Sequence, residues 1–289
     1  MEYYKQVEVV FYSEDFPFHI SRQGENGERI FSAFHWHEYI EILFCEAGKV
    51  SVTAGNQDYV MRPGDMLLIG PDVVHKTWKK EHAEGSMYNV LFSAELLRES
   101  AFGPVESRYI NAFLHFVSSF TCHSVKKAEV PPEMTGLLAE MYDAFYAEGD
   151  FNCLSLRACL LEMVAAFSRS GLSAAKISDV SGQTLREVGA TARYIQEHCG
   201  EKITLLDMAG MANLSYHYYS RLFKLVTGKT FSVYLASARI FMAEKLMLEG
   251  KLSLKEIADQ VGLYPQSRFN HTYKRLRGYS PNEFIKKVR

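Results

Sequence analysis

Up to about residue 95 the chain is a series of short apolar runs, each closed by turn residues. In EILFCEAGKVSVTAGNQDYVMRPGDMLLIGPDVVHKTW the runs stop at Ala47-Gly48, Gly55-Asn56, Pro63-Gly64 and Gly70-Pro71, the punctuation of closely spaced strands. Such a series predicts a sandwich or barrel. The period then changes. In EMTGLLAEMYDAFYAEGD, Leu137, Met141, Ala144 and Phe145 recur at helical spacing, as do Leu156, Leu160, Met163, Val164 and Phe167 in NCLSLRACLLEMVAAFSR, which predicts two amphipathic helices. Their apolar stripes suit packing within their own domain or a seam between two protomers.

Residues 168–184, SRSGLSAAKISDVSGQT, are rich in Ser, Gly and Ala and read as a flexible connector. The expected organisation is therefore an α+β, multidomain chain. A β-barrel domain with accessory helices occupies residues 1–169, a linker 170–186, and an all-α domain 187–289.

The helical domain contains a degenerate internal repeat. Leu205, Met208, Ala209 and Leu214 recur as Leu254, Ile257, Ala258 and Leu263; Tyr219, Phe223, Lys224 and Gly228 recur as Phe269, Tyr273, Lys274 and Gly278. Each copy opens on a capping box, Thr204-x-x-Asp207 or Ser253-x-x-Glu256, which satisfies the first free N–H groups of a short helix. A brief turn and a second amphipathic helix follow, the grammar of a helix-turn-helix. In the first copy Tyr219, Leu222, Phe223 and Val226 form the apolar stripe, and His217, Ser220, Arg221 and Lys224 share another face. In the second, Phe269, Tyr273 and Leu276 are the expected buried side, with Ser267, Asn270, His271 and Lys274 on the polar one.

Charge supports a polyanionic partner for this domain. Residues 190–289 carry 16 Lys and Arg against 8 Asp and Glu, whereas residues 1–189 carry 16 against 26, a division hidden by the net charge of −2. A basic helical domain with two polar recognition faces points to double-stranded DNA. Arg221 and Asn270 suit base edges in the major groove; Lys224, Lys274, Arg275 and Arg277 suit phosphates. The bland alternative is a solvated face on two helical hairpins.

The stretch His35-Trp36-His37-Glu38-Tyr39-Ile40-Glu41 reads as a strand, which places His35, His37 and Glu41 on one face. Together with His75 they offer imidazole and carboxylate donors to iron, manganese, zinc, copper or nickel. The same group, with Trp36 and Tyr39, could instead line a pocket for an organic effector, the aromatic rings, Trp78 among them, stacking on a sugar. The five cysteines, Cys45, Cys122, Cys153, Cys159 and Cys199, are scattered without a C-x-x-C pair, so neither a disulfide framework nor a zinc ribbon is expected. The N-terminus lacks a signal-peptide layout and no apolar run approaches membrane-spanning length. A cytoplasmic protein with no membrane partner is the expectation.

The segments LSYHYYSRLFKLVTGKTFSVYL and SLKEIADQVGLYPQSRFNHTYKRLRGYSPNEF resemble the AraC/XylS family of bacterial transcription regulators over roughly residues 187–289. The marks are Ala209, Ser220 through Lys224, Gly228, Ile257-Ala258, Gly262, Phe269, Tyr273-Lys274, Gly278 and Ser280-Pro281. That resemblance implies two helix-turn-helix units joined by a long helix, Phe231 to about Leu248, that enter successive major grooves one helical turn apart. His271, where the family commonly has Arg, and Tyr264-Pro265, in place of a more polar helix start, depart from the pattern. The spacing His35-x-His37-x3-Glu41-x6-Gly48, with Pro63-Gly64-Asp65 and His75 later, resembles the motifs of the cupin barrel. In AraC-type regulators such a barrel commonly binds an organic effector, and in metal-binding cupins the histidines and glutamate surround one divalent ion.

The combined expectation is a sequence-specific regulator, not an enzyme, that responds to a small-molecule effector of the carbohydrate class, with no required cofactor. The expected partners are DNA, a second copy of the chain and RNA polymerase. A metal-dependent cupin enzyme fused to a DNA-binding module, and an architectural DNA-binding protein with a barrel used only for pairing, are the alternatives.

Overall fold

The computed structural model describes residues 11–24, 30, 32–55, 57–78, 85–98, 104–117, 122–149, 151–172, 182–227 and 229–288. They form two compact units, one within residues 5–175 and the other chiefly within 176–289. Asn56, Gly228 and most of the expected linker lie outside the described residues.

The first unit begins with β1 (Phe18–Gln23), β2 (Ile40–Gly48), β3 (Val50–Ala54), β4 (Gln57–Met61), β5 (Met66–Ile69), β6 (His75–Trp78) and β7 (Gly85–Phe92). Helices α1 (Glu95–Arg98) and α2 (Pro104–Phe116), strand β8 (Cys122–Val125), and helices α3 (Met134–Tyr146) and α4 (Asn152–Arg169) complete it. The strands make two antiparallel sheets, one ordered β1-β7-β2-β5-β8 and the other β4-β3-β6. Among the described residues the ladders form two sheets, in keeping with the strand-rich, cupin-like domain that the turn-punctuated runs predicted.

Alternation along β2 explains how both faces of the larger sheet are buried. Ile40, Ile42 and Phe44 join Phe18, Ile20, Val90 and Phe92 in a core with Phe113, Leu138, Leu160 and Phe167 from the helices. Leu43 and Cys45 point the other way, into a second cluster with Val50, Val52, Leu67, Ile69 and Met87. Glu41 belongs to this second face by register.

Asp65, in the turn between β4 and β5, ties that turn to the residues after β8. Its carboxylate accepts from the backbone N–H of Arg62 at 3.1 Å and Lys127 at 3.1 Å, and from Lys126 Nζ at 3.0 Å. Burial pushes its pKa up, but these hydrogen bonds outweigh burial and hold it below the usual carboxylate range. Asp65→Ala should cost about 1–3 kcal/mol. Because the folded pKa lies below the unfolded one, Asp65 contributes its stability above the unfolded pKa, and the contribution is lost as pH falls through the folded value. Urea unfolding at neutral and acid pH, followed by the fluorescence of Trp36 and Trp78, should show the gap between wild type and variant closing in acid.

The second unit is helical: α5 (Gly182–Glu197), α6 (Leu205–Met211), α7 (Tyr216–Thr227), α8 (Phe231–Glu249), α9 (Leu254–Gln260), α10 (Gln266–Arg277) and α11 (Pro281–Val288). Helix α5 starts inside the span read as linker. Helix α8, close to the bounds expected for the long connecting helix, packs against α5, α7, α9, α10 and α11. It buries Tyr234, Leu235, Ala238, Ile240, Phe241 and Met247.

Candidate functional site

Both repeats in the helical unit are built by the same local devices. The Thr204 hydroxyl accepts from Asp207 N at 3.2 Å while the Asp207 carboxylate accepts from Thr204 N at 2.9 Å. Ser253 and Glu256 exchange the equivalent bonds at 3.3 and 2.8 Å. The turn after each short helix needs one left-handed residue, supplied by Asn213 at φ 53° and Gly262 at φ 67°, two residue types that tolerate this conformation. The next N–H then reaches back into the helix, Leu214 to Ala209 O at 2.9 Å and Leu263 to Ala258 O at 2.8 Å.

This geometry sets which sides of α7 and α10 face solvent. In α7, Tyr219, Leu222 and Phe223 are buried, His217, Arg221 and Lys224 are exposed, and Ser220 is half-buried. In α10, Phe269, Thr272 and Tyr273 are buried, and Ser267, Asn270, His271 and Lys274 are all exposed. Val226 and Leu276, expected in the apolar stripes, are half-buried, and Thr272 takes part in the buried face instead.

Arg277 corrects the sequence reading. Rather than extending toward a phosphate, its guanidinium donates to both oxygens of Glu244 at 2.8 Å, and that carboxylate also accepts from the Tyr273 hydroxyl at 2.9 Å. Burial disfavours the charged guanidinium, but Glu244 beside it outweighs that effect and raises its pKa. Arg239, which sequence reading passed over, donates from α8 to the carbonyls of Cys199 at 2.7 Å, Glu201 at 2.8 Å and Gly262 at 3.0 Å. It thereby holds the turn of the second repeat against the end of α5. Tyr216 and Tyr218 are also exposed at the start of α7, with the Arg221 guanidinium 5.5 Å from the Tyr218 ring centre. Their position at the head of the helix was visible in the sequence; their exposure was not.

In the first unit the strand expected from His35 to Glu41 is interrupted. Strand β2 starts only at Ile40, and His35 forms an isolated bridge to His75, their backbones exchanging hydrogen bonds of 2.9 Å. A bend over the intervening residues, rather than alternation along one strand, turns His35 and His37 toward Glu41. All four side chains meet: His35, His37, Glu41 and His75 are buried, with one donor atom from each lying within 4.8 Å of the others. Trp36 and Tyr39 are half-buried outside that group, and Tyr39 packs edge-on to Phe11 at 4.5 Å between ring centres.

The cluster is electrostatically tense. Glu41 Oε2 lies 3.2 Å from His37 Nε2 and 2.6 Å from His75 Nε2. Burial pushes the Glu41 pKa up, but His75 and His37 outweigh it and hold the carboxyl well below its ordinary range. For His75, burial acts downward and Glu41 acts upward, with Glu41 prevailing. Burial and the neighbouring His75 lower His35 to about 3. The geometry and donor types suit one of two occupants, protons shared among the groups or a small cation.

Two family profiles match the chain, a helix-turn-helix domain at residues 208–287 and an AraC-like ligand binding domain at residues 18–162. The uncharacterized HTH-type transcriptional regulator YisR of Bacillus subtilis (strain 168) is 22% identical over 274 residues, spanning 93% of this chain and 91% of YisR. The HTH-type transcriptional activator Btr of the same organism is 34% identical over 136 residues, a match that spans 47% of this chain and 25% of Btr. The solved structure of ToxT from Vibrio cholerae aligns over 94% of this chain and 98% of its own, with 14% identity and a TM-score of 0.49. Both units are covered by the two profiles, and the relatives are transcription regulators rather than enzymes. The chain thus belongs to the AraC family, as a transcriptional regulator that joins a ligand-binding domain to a DNA-binding helix-turn-helix domain.

Proposed function

We propose that this regulator reads promoter DNA through α7 and α10, in response to an organic effector taken up by its first domain. The observation that carries the DNA reading is the pair of exposed polar faces displayed by two helix-turn-helix units with matching caps and turns. His217, Ser220, Arg221 and Lys224 form the first face; Ser267, Asn270, His271 and Lys274 form the second. Arg221 and Asn270 are assigned to base edges, Lys224, Lys274 and Arg275 to phosphates. The effector domain lies within residues 1–169 and the DNA-binding domain takes in 187–289, joined through 170–186, the last residues of which already belong to α5.

The effector is assigned as a carbohydrate, on the half-exposed rings of Trp36, Tyr39 and Trp78, which supply apolar faces for stacking with polar edges nearby. His35, His37, Glu41 and His75 order that region, and no cofactor is required; a divalent metal among those four is a second occupant. The regulator works in the cytoplasm as a homodimer, with Tyr146, Phe151 and Leu154 exposed where α3 meets α4 as the apolar surface available for pairing. It acts on transcription through RNA polymerase. None of the described helices is long and apolar enough to cross a membrane. The effector would shift the protein between arrangements that engage the promoter differently, by binding one of them more tightly.

The test begins with selection of a binding site from a random duplex library, followed by titration of the selected and scrambled duplexes. Arg221→Ala should relax preference at one base pair at a cost of about 1–3 kcal/mol, whereas Lys224→Ala should weaken all duplexes alike and flatten the salt dependence. Equal, sequence-independent losses from both variants would remove Arg221 from base reading. A sugar panel scored by thermal shift tests the effector class: a bound sugar at about a hundredfold excess over its Kd adds about 2.7 kcal/mol.

A further inference from the structure

We propose that Arg239, with the facing backbones of Gly200 and Gly262, sets the separation of the two base-reading helices, so that the regulator selects the distance between two blocks of bases as well as their identity. The inference rests on the DNA reading above and adds to it a positioning residue that lies off both recognition faces.

Three separate stretches of chain build the junction. Residues 198–203 lead from α5 into the first repeat, residues 261–263 form the turn of the second, and Arg239 stands on α8 between them. The two backbones touch. A Cβ placed on Gly200 would lie 2.5 Å from Gln260 O, and one placed on Gly262 would lie 2.7 Å from Gly200 O, so neither position accepts a side chain unless the backbones part. Arg239 spans the same contact, donating to Cys199 O and Glu201 O on one side and to Gly262 O on the other. A guanidinium carries its donors in a rigid planar fork, so bonds that run to both sides hold those sides in one relative position. A lysine ammonium, a point charge on a flexible stem, does not impose that geometry.

Position along α10 decides what the junction controls. The far end of α10 is tied to α8 by Glu244, through Tyr273 and Arg277, whereas its near end follows the Gly262 turn. This helix of 12 residues is about 18 Å long, and Ser267, Asn270 and His271 all lie in the half next to that turn. Glu244 by itself leaves the reading half free to pivot about the far end; Arg239 and the glycine contact remove that freedom. The first repeat is fixed to the same frame, because Thr191 on α5 and the Tyr219 hydroxyl on α7 share a buried hydrogen bond of 2.6 Å. The lead-in to the first reading helix and the turn before the second are thereby one piece. Each base pair displaces the next by about 3.4 Å along the DNA axis and about 35° around it, so two helices held in this way meet both blocks at one separation.

The test uses the full chain and the duplex selected from the random library. The two blocks are located as the base pairs at which Arg221→Ala and Asn270→Ala lose their preference, and duplexes are made with one base pair inserted or removed between them. Wild type should bind the selected spacing about 5- to 150-fold more tightly than either altered duplex, the range expected for loss of one good base contact. Arg239→Met and Arg239→Lys should bring that ratio toward one. A role confined to stability would instead weaken every duplex by the same factor and leave the ratio untouched. Gly200→Ala, which keeps Arg239 and forces the backbones apart, should also lower the ratio, and is the second variant should those at Arg239 fail to fold. Folded variants at Arg239 with the wild-type ratio would overturn the proposal, since the long helix α8 alone would then set the spacing. A wild-type chain that binds all spacings alike, yet loses base preference on Arg221→Ala, would overturn it too and leave the DNA reading standing. A chain that selects no duplex would refute the DNA reading, and the proposal with it.

Discussion

Glu244→Ala is expected to destabilise the helical unit by about 3–5 kcal/mol, the cost of leaving a buried charge without its partner. Glu244 is 1% exposed on α8 and receives three hydrogen bonds, two from Arg277 and one from Tyr273. Removing it strands the Arg277 guanidinium, whose side chain is 13% exposed, and leaves the buried Tyr273 hydroxyl without that bond. Because Tyr273 and Arg277 both lie on α10, the damage falls on the second recognition helix. Guanidinium unfolding followed by far-ultraviolet circular dichroism should show a lower midpoint, and affinity for the selected duplex should fall with it. Glu244→Gln keeps an acceptor for Tyr273 and should lose less. An unchanged unfolding midpoint for the alanine variant would mean that water screens this pair.

Phe167→Ala should cost the first unit about 3–5 kcal/mol, through lost transfer energy and the cavity left behind. Phe167 is fully buried near the end of α4, with its ring centre 5.5 Å from Phe113 and 6.5 Å from Phe116 on α2. It therefore joins α2 and α4, two of the helices that share the core on one face of the larger sheet. Both tryptophans of the chain, Trp36 and Trp78, belong to this unit. Tryptophan fluorescence during urea unfolding thus reports the affected unit directly. Phe167→Leu retains most of the volume and should recover much of the loss; equal midpoints for alanine and wild type would show that the core collapses around the gap.

The helix-turn-helix repeats were legible in the sequence because their determinants are local. Capping boxes act within four residues, and the turns need only Asn213 or Gly262 to adopt a left-handed backbone. The exposed and buried sides of α7 and α10 follow from a period of 3.6 residues. The start of α5 was less legible, since Gly182, Gln183 and Thr184 look like connector by composition. Arg277 was misassigned for a related reason: a cationic residue at a helix end resembles a phosphate contact until the facing helix is known.

The histidine cluster was legible as a set of residues but not as an arrangement. A strand from His35 to Glu41 would have brought three side chains to one face. In the structure a bend and an isolated bridge to His75 bring the donors together instead. Which carbonyl each imidazole engages depends on backbone paths that periodicity does not report.

From its sequence alone the chain determined its strand-rich and helical halves, its paired DNA-binding units and the faces they present, because hydrophobic period, caps and turn residues act over a few positions. Only the tertiary structure decided that Glu244 claims Arg277, that Arg239 holds three distant carbonyls, and that two sheets rather than one strand assemble the four-residue cluster. Those outcomes depend on contacts between residues far apart in the chain, where burial makes every polar group require a partner.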